Sequence, residues 1–199
     1  MADAAYESWM YGDPEFHDLR EDLAAHHQVE SGNIMVGEGI DGMLGYVARM
    51  FLQPGDTVVT SAGAYPTFNY HVNGYGGKLE FVPYRDDRED LDALIQKAAQ
   101  LQARLIYVSN PDNPMGSWWD SESINDMLKK IPDGSLLILD EASNALVNLS
   151  KNTTLLKSEL ETIDLKVVGR GAGFDIEGGY LLFCMHLAYI LHADRLHVE

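Results

Sequence analysis

Apolar positions along the chain follow two alternating rhythms. Short, mostly apolar runs occur at Asn33 to Val36, Thr57 to Thr60, Leu79 to Val82, Arg104 to Val108 and Leu136 to Leu139. Each reads as a strand, rich in aliphatic or β-branched residues and bounded by turn residues. Between them, apolar residues recur at helical spacing. The stripes are Phe16, Leu19 and Leu23; Ile40, Met43, Leu44, Val47 and Phe51; Leu91, Leu94, Ile95 and Ala98; and Ile124, Met127, Leu128 and Ile131. Asp13-Pro14 is placed to open the first helix, with Asp capping and Pro at the first helical position. Asp120 is placed to cap the last. Pro54-Gly55-Asp56 is a turn, and an aromatic-rich segment runs from Tyr65 to Tyr75.

Strands alternating with helices predict an α/β fold. The strands are apolar runs rather than alternating ones, as in a sheet covered on both faces. The expected architecture is therefore a three-layer α/β/α sandwich around a mostly parallel sheet. Ligands of such sheets bind beyond the carboxyl ends of the strands. Gly37, Asn113 and Asp140 each follow a strand, so they are expected on one edge of one sheet, within about 10 Å of each other for a pocket of ordinary volume. After Asn144 the pattern thins. Leu165 to Val168 reads as one further strand, followed by Gly169-Arg170-Gly171-Ala172-Gly173. Tyr180 to Leu191 is apolar around His186, too short to span a bilayer, and reads as a buried element. No internal repeat or low-complexity tract occurs.

Composition narrows the function. A chain of 199 residues with 46% hydrophobic content can bury a core of its own. Its formal net charge of -17 argues against nucleic acid and against an anionic membrane surface as partners, since both require a basic footprint. The one cysteine, Cys184, allows no internal disulfide and fits a reducing, cytoplasmic setting. The N-terminal residues lack the basic-then-apolar order of a signal peptide. The histidines show no metal-ligand spacing, so no metal is expected. Neither G-x-S-x-G nor H-E-x-x-H occurs, which leaves hydrolase chemistry without support.

Three motifs carry candidate chemistry. Gly37-Glu38-Gly39-Ile40-Asp41-Gly42 follows a strand and opens a helix, where free amides favour a phosphate and glycine allows its close approach. A dinucleotide site would also need an acid at the end of the next strand, which here reads Thr60-Ser61-Ala62. A plain tight turn is the alternative. Asn110-Pro111-Asp112-Asn113-Pro114-Met115-Gly116 is a rigid loop able to hold the Asn113 amide in place, or simply a Pro-rich connector. Asp140 ends the apolar run Leu136-Leu137-Ile138-Leu139, where a carboxylate is unfavourable without a cationic or amide partner. A protonated pyridine nitrogen would serve as the cation; backbone amides would serve equally. Tyr65 is either a stacking platform for a planar ring or part of the core.

In order and spacing, these residues resemble the class I/II, fold-type-I, pyridoxal-phosphate-dependent aminotransferases, and among them the histidinol-phosphate-aminotransferase-like branch. The resemblance runs from Tyr11 to Ala142. Its marks are Tyr11-Gly12-Asp13-Pro14 with Leu19-Arg20, Gly37 to Gly42, Pro54-Gly55-Asp56-Thr57-Val58, Tyr65-Pro66-Thr67-Phe68, Asn110 to Gly116, and Leu139-Asp140-Glu141-Ala142. It implies an aspartate-aminotransferase-like large domain and pyridoxal 5'-phosphate as cofactor. It implies that Ile40, Asp41 and Gly42 lie at the cofactor phosphate, that Tyr65 stacks on the ring, that Asn113 bonds the phenolic oxygen and that Asp140 pairs with the ring nitrogen. Tyr11 would reach the phosphate of a neighbouring subunit, which implies a homodimer. The substrates would be an amino acid and a 2-oxo acid.

The sequence departs from the family beyond that point. Ser143 stands where the family carries tyrosine. The family's Ser-Lys-x-x-Gly segment, whose lysine carries the cofactor, has no match in Val167-Val168-Gly169-Arg170-Gly171-Ala172-Gly173-Phe174-Asp175-Ile176-Glu177-Gly178-Gly179. Lys166 is nearest but sits within the expected strand, and Arg170 is a distant counterpart of the family's phosphate arginine. The expected organisation is a cofactor-binding large domain over residues 1–145, a divergent continuation over 146–199, and no C-terminal small domain. The expected activity is amino-group transfer, impaired by the missing lysine, with no catalytic residue assigned. A non-catalytic cofactor-binding or interaction relative and a nucleotide-binding oxidoreductase are the alternatives.

Overall fold

The computed structural model describes residues 11–37 and 39–141, together with the backbone of two later strands over 162–169 and 180–186. Ser143, Lys151, Lys157 and Arg170 lie outside the described residues. So do the glycine-rich run after Gly169 and the part of the Tyr180 to Leu191 segment beyond His186.

One seven-stranded sheet organises these residues. Its strands are β1 (Ile34–Val36), β2 (Thr57–Ser61), β3 (Lys78–Val82), β4 (Leu105–Ser109), β5 (Leu136–Asp140), β6 (Thr162–Gly169) and β7 (Tyr180–His186). Their order is β1-β7-β6-β5-β4-β2-β3. All pair in parallel except β6, which runs antiparallel to both β5 and β7. The helices are α1 (His17–His27), α2 (Ile40–Phe51), α3 (Thr67–Gly74), α4 (Leu91–Leu101) and α5 (Ser121–Lys129).

The strict alternation of side chains along each strand divides the core into two layers. Leu105, Tyr107, Leu136 and Ile138 pack in one cluster with Met43, Leu44 and Val47 of α2 and Phe68 and Val72 of α3. Their strand neighbours Ile106, Val108, Leu137 and Leu139 pack with Leu94 and Ala98 of α4 and Ile124 and Met127 of α5. These are the three layers expected from the apolar runs. Leu23 and Ala24 of α1 make a smaller cluster with Ile34. The Arg20 guanidinium ties α1 to β1 by donating to the Ile34 and Ser31 carbonyl oxygens at 3.1 and 2.8 Å.

Element ends show local chemistry overriding periodicity. Asp13 does bind free amides, accepting from Glu15 and His17 at 2.9 and 2.6 Å. Those bonds close a turn over Asp13 to Phe16 instead of starting a helix at Pro14. Phe16 takes a left-handed backbone conformation (φ 51°) and is half exposed, so it leaves the stripe it was assigned to. At the other end, α5 stops at Lys129, and buried Ile131 lies beyond it because the residue before Pro132 is pushed out of the helical region. Asp90 and Asp120 are true caps, accepting from Ala93 at 3.1 Å and Ser123 at 2.8 Å. Removing the α4 cap with Asp90→Ala is expected to lower stability by about 1 kcal/mol. A urea midpoint unchanged in the variant would contradict that.

The first five strands share one sheet and one direction, so the ends of β1, β4 and β5 lie on the same edge. The expected closeness of Gly37 to Asp140 needs correction, however. Strands β7 and β6 stand between β1 and β5, and three strand spacings amount to roughly 14 Å. It is α2, leaving β1 at that edge, that crosses back over the sheet and packs in one cluster with Tyr107 and Ile138.

Candidate functional site

The buried strands β2, β4 and β5 each end in a polar residue on one edge: Ser61, Ser109 and Asp140. Asp140 closes β5 and is buried, 8% exposed. Its carboxylate accepts a 2.6 Å hydrogen bond at Oδ2 from the Tyr107 hydroxyl. Tyr107 lies on β4 and is itself fully buried, with its ring stacked on Phe68 of α3 at 4.8 Å between centroids. Burial and the adjacent Asp140 charge hold the Tyr107 hydroxyl well above its ordinary pKa, so it remains a donor. The Asp140 carbonyl accepts from the Asn110 amide at 2.8 Å, joining β5 to the start of the proline loop.

That loop is fixed by its own polar side chains. Asn110 holds Trp119 from both sides, donating from Nδ2 to its carbonyl at 2.9 Å and accepting its amide at Oδ1 at 2.8 Å. Asp112 is buried and spans the loop by backbone bonds to Ser117 and Gly116. Its carboxylate accepts the Tyr84 hydroxyl at 2.8 and 2.9 Å. Burial and that carboxylate raise the Tyr84 pKa, keeping it protonated. The Asn110-Pro111 and Asn113-Pro114 bonds are both cis. Asn113 is exposed at the loop tip.

Beneath the loop lies Glu89, 2% exposed, between the caps of the sheet and α4. Its Oε1 accepts the Ser109 amide at 3.2 Å, while Oε2 has no hydrogen-bond partner. Burial pushes its pKa up to about 8, opposed by the Ser109 bond and assisted by the Asp112 charge. The nearby Ser61 hydroxyl favours the charged form, but it falls outside hydrogen-bonding geometry, so burial prevails. A carboxyl raised from an ordinary value near 4.5 binds its proton more tightly folded than unfolded. Stability is therefore highest below that value and falls as pH rises through about 8. Glu89→Gln is expected to flatten this loss between pH 5 and 9; a variant whose melting temperature keeps the wild-type pH profile would contradict the assignment.

At the same edge, α2 begins without any side-chain cap. Gly39 holds φ 111°, a conformation that glycine alone adopts easily, and so turns the chain into the helix. A Cβ on Gly37 would collide with the Met43 sulfur, so glycine there lets the first turn of α2 close on β1. Ile40, Asp41 and Gly42 form that first turn, with Asp41 exposed and the other two partly so. Tyr65 precedes α3 with 46% of its surface exposed, so it is available as a stacking face rather than lost to the core. Tyr11 is fully exposed.

Comparison with known proteins decides the family. The model of the aminotransferase class I and II family matches residues 4–169. The chain belongs to the class I and II aminotransferases. Curated relatives include the histidinol-phosphate aminotransferase of Moorella thermoacetica, 32% identical over 142 residues, covering 71% of this chain and 36% of the relative. Histidinol-phosphate aminotransferase 1 of Mesorhizobium japonicum is 33% identical over 134 residues, covering 67% of this chain and 36% of the relative. Among solved structures, the histidinol-phosphate aminotransferase of Sinorhizobium meliloti in complex with pyridoxal-5'-phosphate superposes with a TM-score of 0.69 at 51% identity. That match covers 72% of this chain and 39% of the Sinorhizobium chain. The chain thus spans a little over a third of the length of these relatives.

Of the residues singled out in the sequence, Asp140 is joined directly to the start of the Asn113 loop through the Asn110 amide, and Ile40 at the start of α2 packs against the cluster that contains Tyr107 and Ile138. Gly37 stands apart at the end of β1. Sequence reasoning missed Tyr107, Tyr84 and Glu89. A signal existed for Tyr107, because a phenol inside a wholly apolar central strand must find a partner for its hydroxyl. Nothing local marks Tyr84 or Glu89, whose partners are remote in sequence. Lys166 falls within β6, in register with Leu139, while Leu165 stands opposite Asp140. Among the described residues, no group of three His, Cys, Asp or Glu is placed to hold a metal ion, and no helix is long and apolar enough to cross a membrane.

Proposed function

We propose that this chain binds pyridoxal 5'-phosphate at the carboxyl edge of β2, β4 and β5, as the cofactor-binding large-domain part of an aminotransferase. The observation that carries the reading is the buried Asp140 carboxylate ending a central strand on the same edge as an uncapped, glycine-entered helix. The two features fit the two ends of the cofactor. A helix start with free amides favours a phosphate, and a buried carboxylate favours a protonated ring nitrogen. Asn113 would hold the phenolic oxygen and Tyr65 would cover the ring. When bound, the cofactor supplies an electron sink that makes amino-group transfer possible between an amino acid and a 2-oxo acid. The chain's own residues orient that ring: Asp140 keeps its nitrogen protonated, and the braced proline loop fixes Asn113.

Residues 1–145 would form this matched part and 146–199 its divergent continuation. Transfer is proposed to be impaired, because Val167 to Gly179, at the distance where the family carries its lysine segment, contains no lysine. Full exposure of Tyr11 supports its assignment to the phosphate of a neighbouring subunit in a homodimer. The setting is proposed to be cytoplasmic.

A cofactor-binding relative without turnover remains the second reading, favoured by the same missing lysine. The oxidoreductase reading is disfavoured, since β2 ends in Ser61 and not in an acid. Titration of the protein with pyridoxal phosphate, followed by quenching of tryptophan fluorescence, tests the binding. Saturable quenching that Tyr65→Phe leaves within a few-fold is expected, because phenylalanine keeps most of the stacking. A non-saturable response would overturn the reading.

A further inference from the structure

The Tyr107 hydroxyl is buried on the face of the sheet covered by α2 and α3, among largely apolar side chains, and it points to a role beyond packing. It lies two residues before the end of β4, and the β4–β5 pairing sets Tyr107 opposite Ile138 and Ser109 opposite Asp140. From there the hydroxyl reaches Asp140 Oδ2 at 2.6 Å, the length expected of a charge-assisted bond from a hydroxyl to a carboxylate. The ring cannot swing away, because Phe68 stacks on it at 4.8 Å and the side chain is 1% exposed.

We propose that Tyr107 is a positioning residue for cofactor chemistry: its hydroxyl fixes the Asp140 carboxylate in direction and in its charged form, so that the proton shared with a bound pyridine ring stays on the ring nitrogen. The inference rests on the cofactor reading above. A carboxylate facing a protonated ring nitrogen has a competing neutral arrangement, in which the proton has crossed to the oxygen. In a buried, water-poor setting the neutral pair is favoured by desolvation. A hydrogen bond donated to the carboxyl group stabilises the charged arrangement more strongly than the neutral one. Tyr107 supplies that bond from a rigid strand, and burial keeps it protonated and so always a donor. A hydrogen bond to a charged group changes such an equilibrium by about tenfold or more.

Two measurements on the full chain test this. In the protein without cofactor, proton NMR should show an exchange-protected, far-downfield hydroxyl resonance that disappears in Tyr107→Phe and moves upfield in Asp140→Asn, whose neutral amide oxygen is a weaker acceptor. With pyridoxal phosphate labelled with nitrogen-15 in the ring, the wild-type nitrogen should resonate at the protonated position. In Tyr107→Phe it should move toward the neutral-pyridine position by a population change of about tenfold. Phe68→Leu disturbs the stacking while leaving the hydroxyl in place, so it should lower the melting temperature without moving the nitrogen. Tyr107→Phe keeps the ring and is expected to fold, which thermal melting checks. An unchanged nitrogen resonance in folded, cofactor-loaded Tyr107→Phe would reduce Tyr107 to a packing residue and overturn the proposal. Wild-type protein that binds no cofactor yet keeps the hydroxyl resonance would overturn the cofactor reading, leaving the Tyr107–Asp140 bond as a structural one only.

Discussion

Replacing Asp140 with alanine is expected to weaken pyridoxal phosphate binding on the order of 10²-fold, about 2–3 kcal/mol. The carboxylate is buried at a strand end, where a protonated ring nitrogen would be a favourable charged partner. Its removal leaves a protonated ring nitrogen against the apolar layer of Ile138 and Leu136, with no opposite charge to hold it. The same substitution also strands the Tyr107 hydroxyl, which loses its 2.6 Å acceptor. A fall in stability of about 1–3 kcal/mol should therefore accompany the loss of affinity. Asp140→Asn separates the two effects: it returns an acceptor to Tyr107 while removing the charge. Asparagine should regain much of the stability and little of the affinity. Equal affinity in wild type and Asp140→Ala, measured by fluorescence titration, would remove Asp140 from the site.

A second expected result concerns turnover. With excess cofactor and a panel of amino acids and 2-oxo acids, the chain should show no normal transaminase rate. The reason is chemical. The aminotransferase lysine both holds the cofactor covalently and moves the proton at the substrate α-carbon. General acid–base catalysis typically contributes about 10²- to 10⁴-fold, and covalent activation is lost in addition. Lys166 is committed to β6, one register position from the strand partner of Asp140. Borohydride reduction of the loaded protein should consequently leave no stable cofactor–lysine bond detectable by mass spectrometry. Turnover near about 1 s⁻¹, within the common enzyme range, would mean that a lysine such as Lys151, Lys157 or Lys166 serves the site.

The sequence made the layers and the edge legible, because both depend on local signals. Apolar runs at β2, β4 and β5 and helical stripes at α2, α4 and α5 reflect burial on opposite faces, which periodicity reports directly. Asp140 and the proline loop were readable because polar residues at the end of an apolar strand are rare enough to stand out. What escaped notice depends on contacts remote in sequence. The Glu89 carboxyl meets the Ser109 amide 20 residues on, and Tyr84 meets Asp112 28 residues on. No window of local pattern contains both partners. The same limit hid the insertion of β7 and β6 between β1 and β5, which moved Gly37 away from Asp140. It also misplaced the start of α1, where the two carboxylate bonds of Asp13 outweighed the preference of Pro14 for a first helical turn.

The central claim is that a single edge of this sheet holds the cofactor by its two ends. A crystal structure of the protein soaked with pyridoxal phosphate tests it most directly. The expected result places the phosphate on the amides of Ile40, Asp41 and Gly42 and the ring nitrogen within hydrogen-bonding distance of Asp140. Phosphate density at that helix start with the ring directed away from Asp140, or cofactor bound elsewhere on the chain, would contradict it.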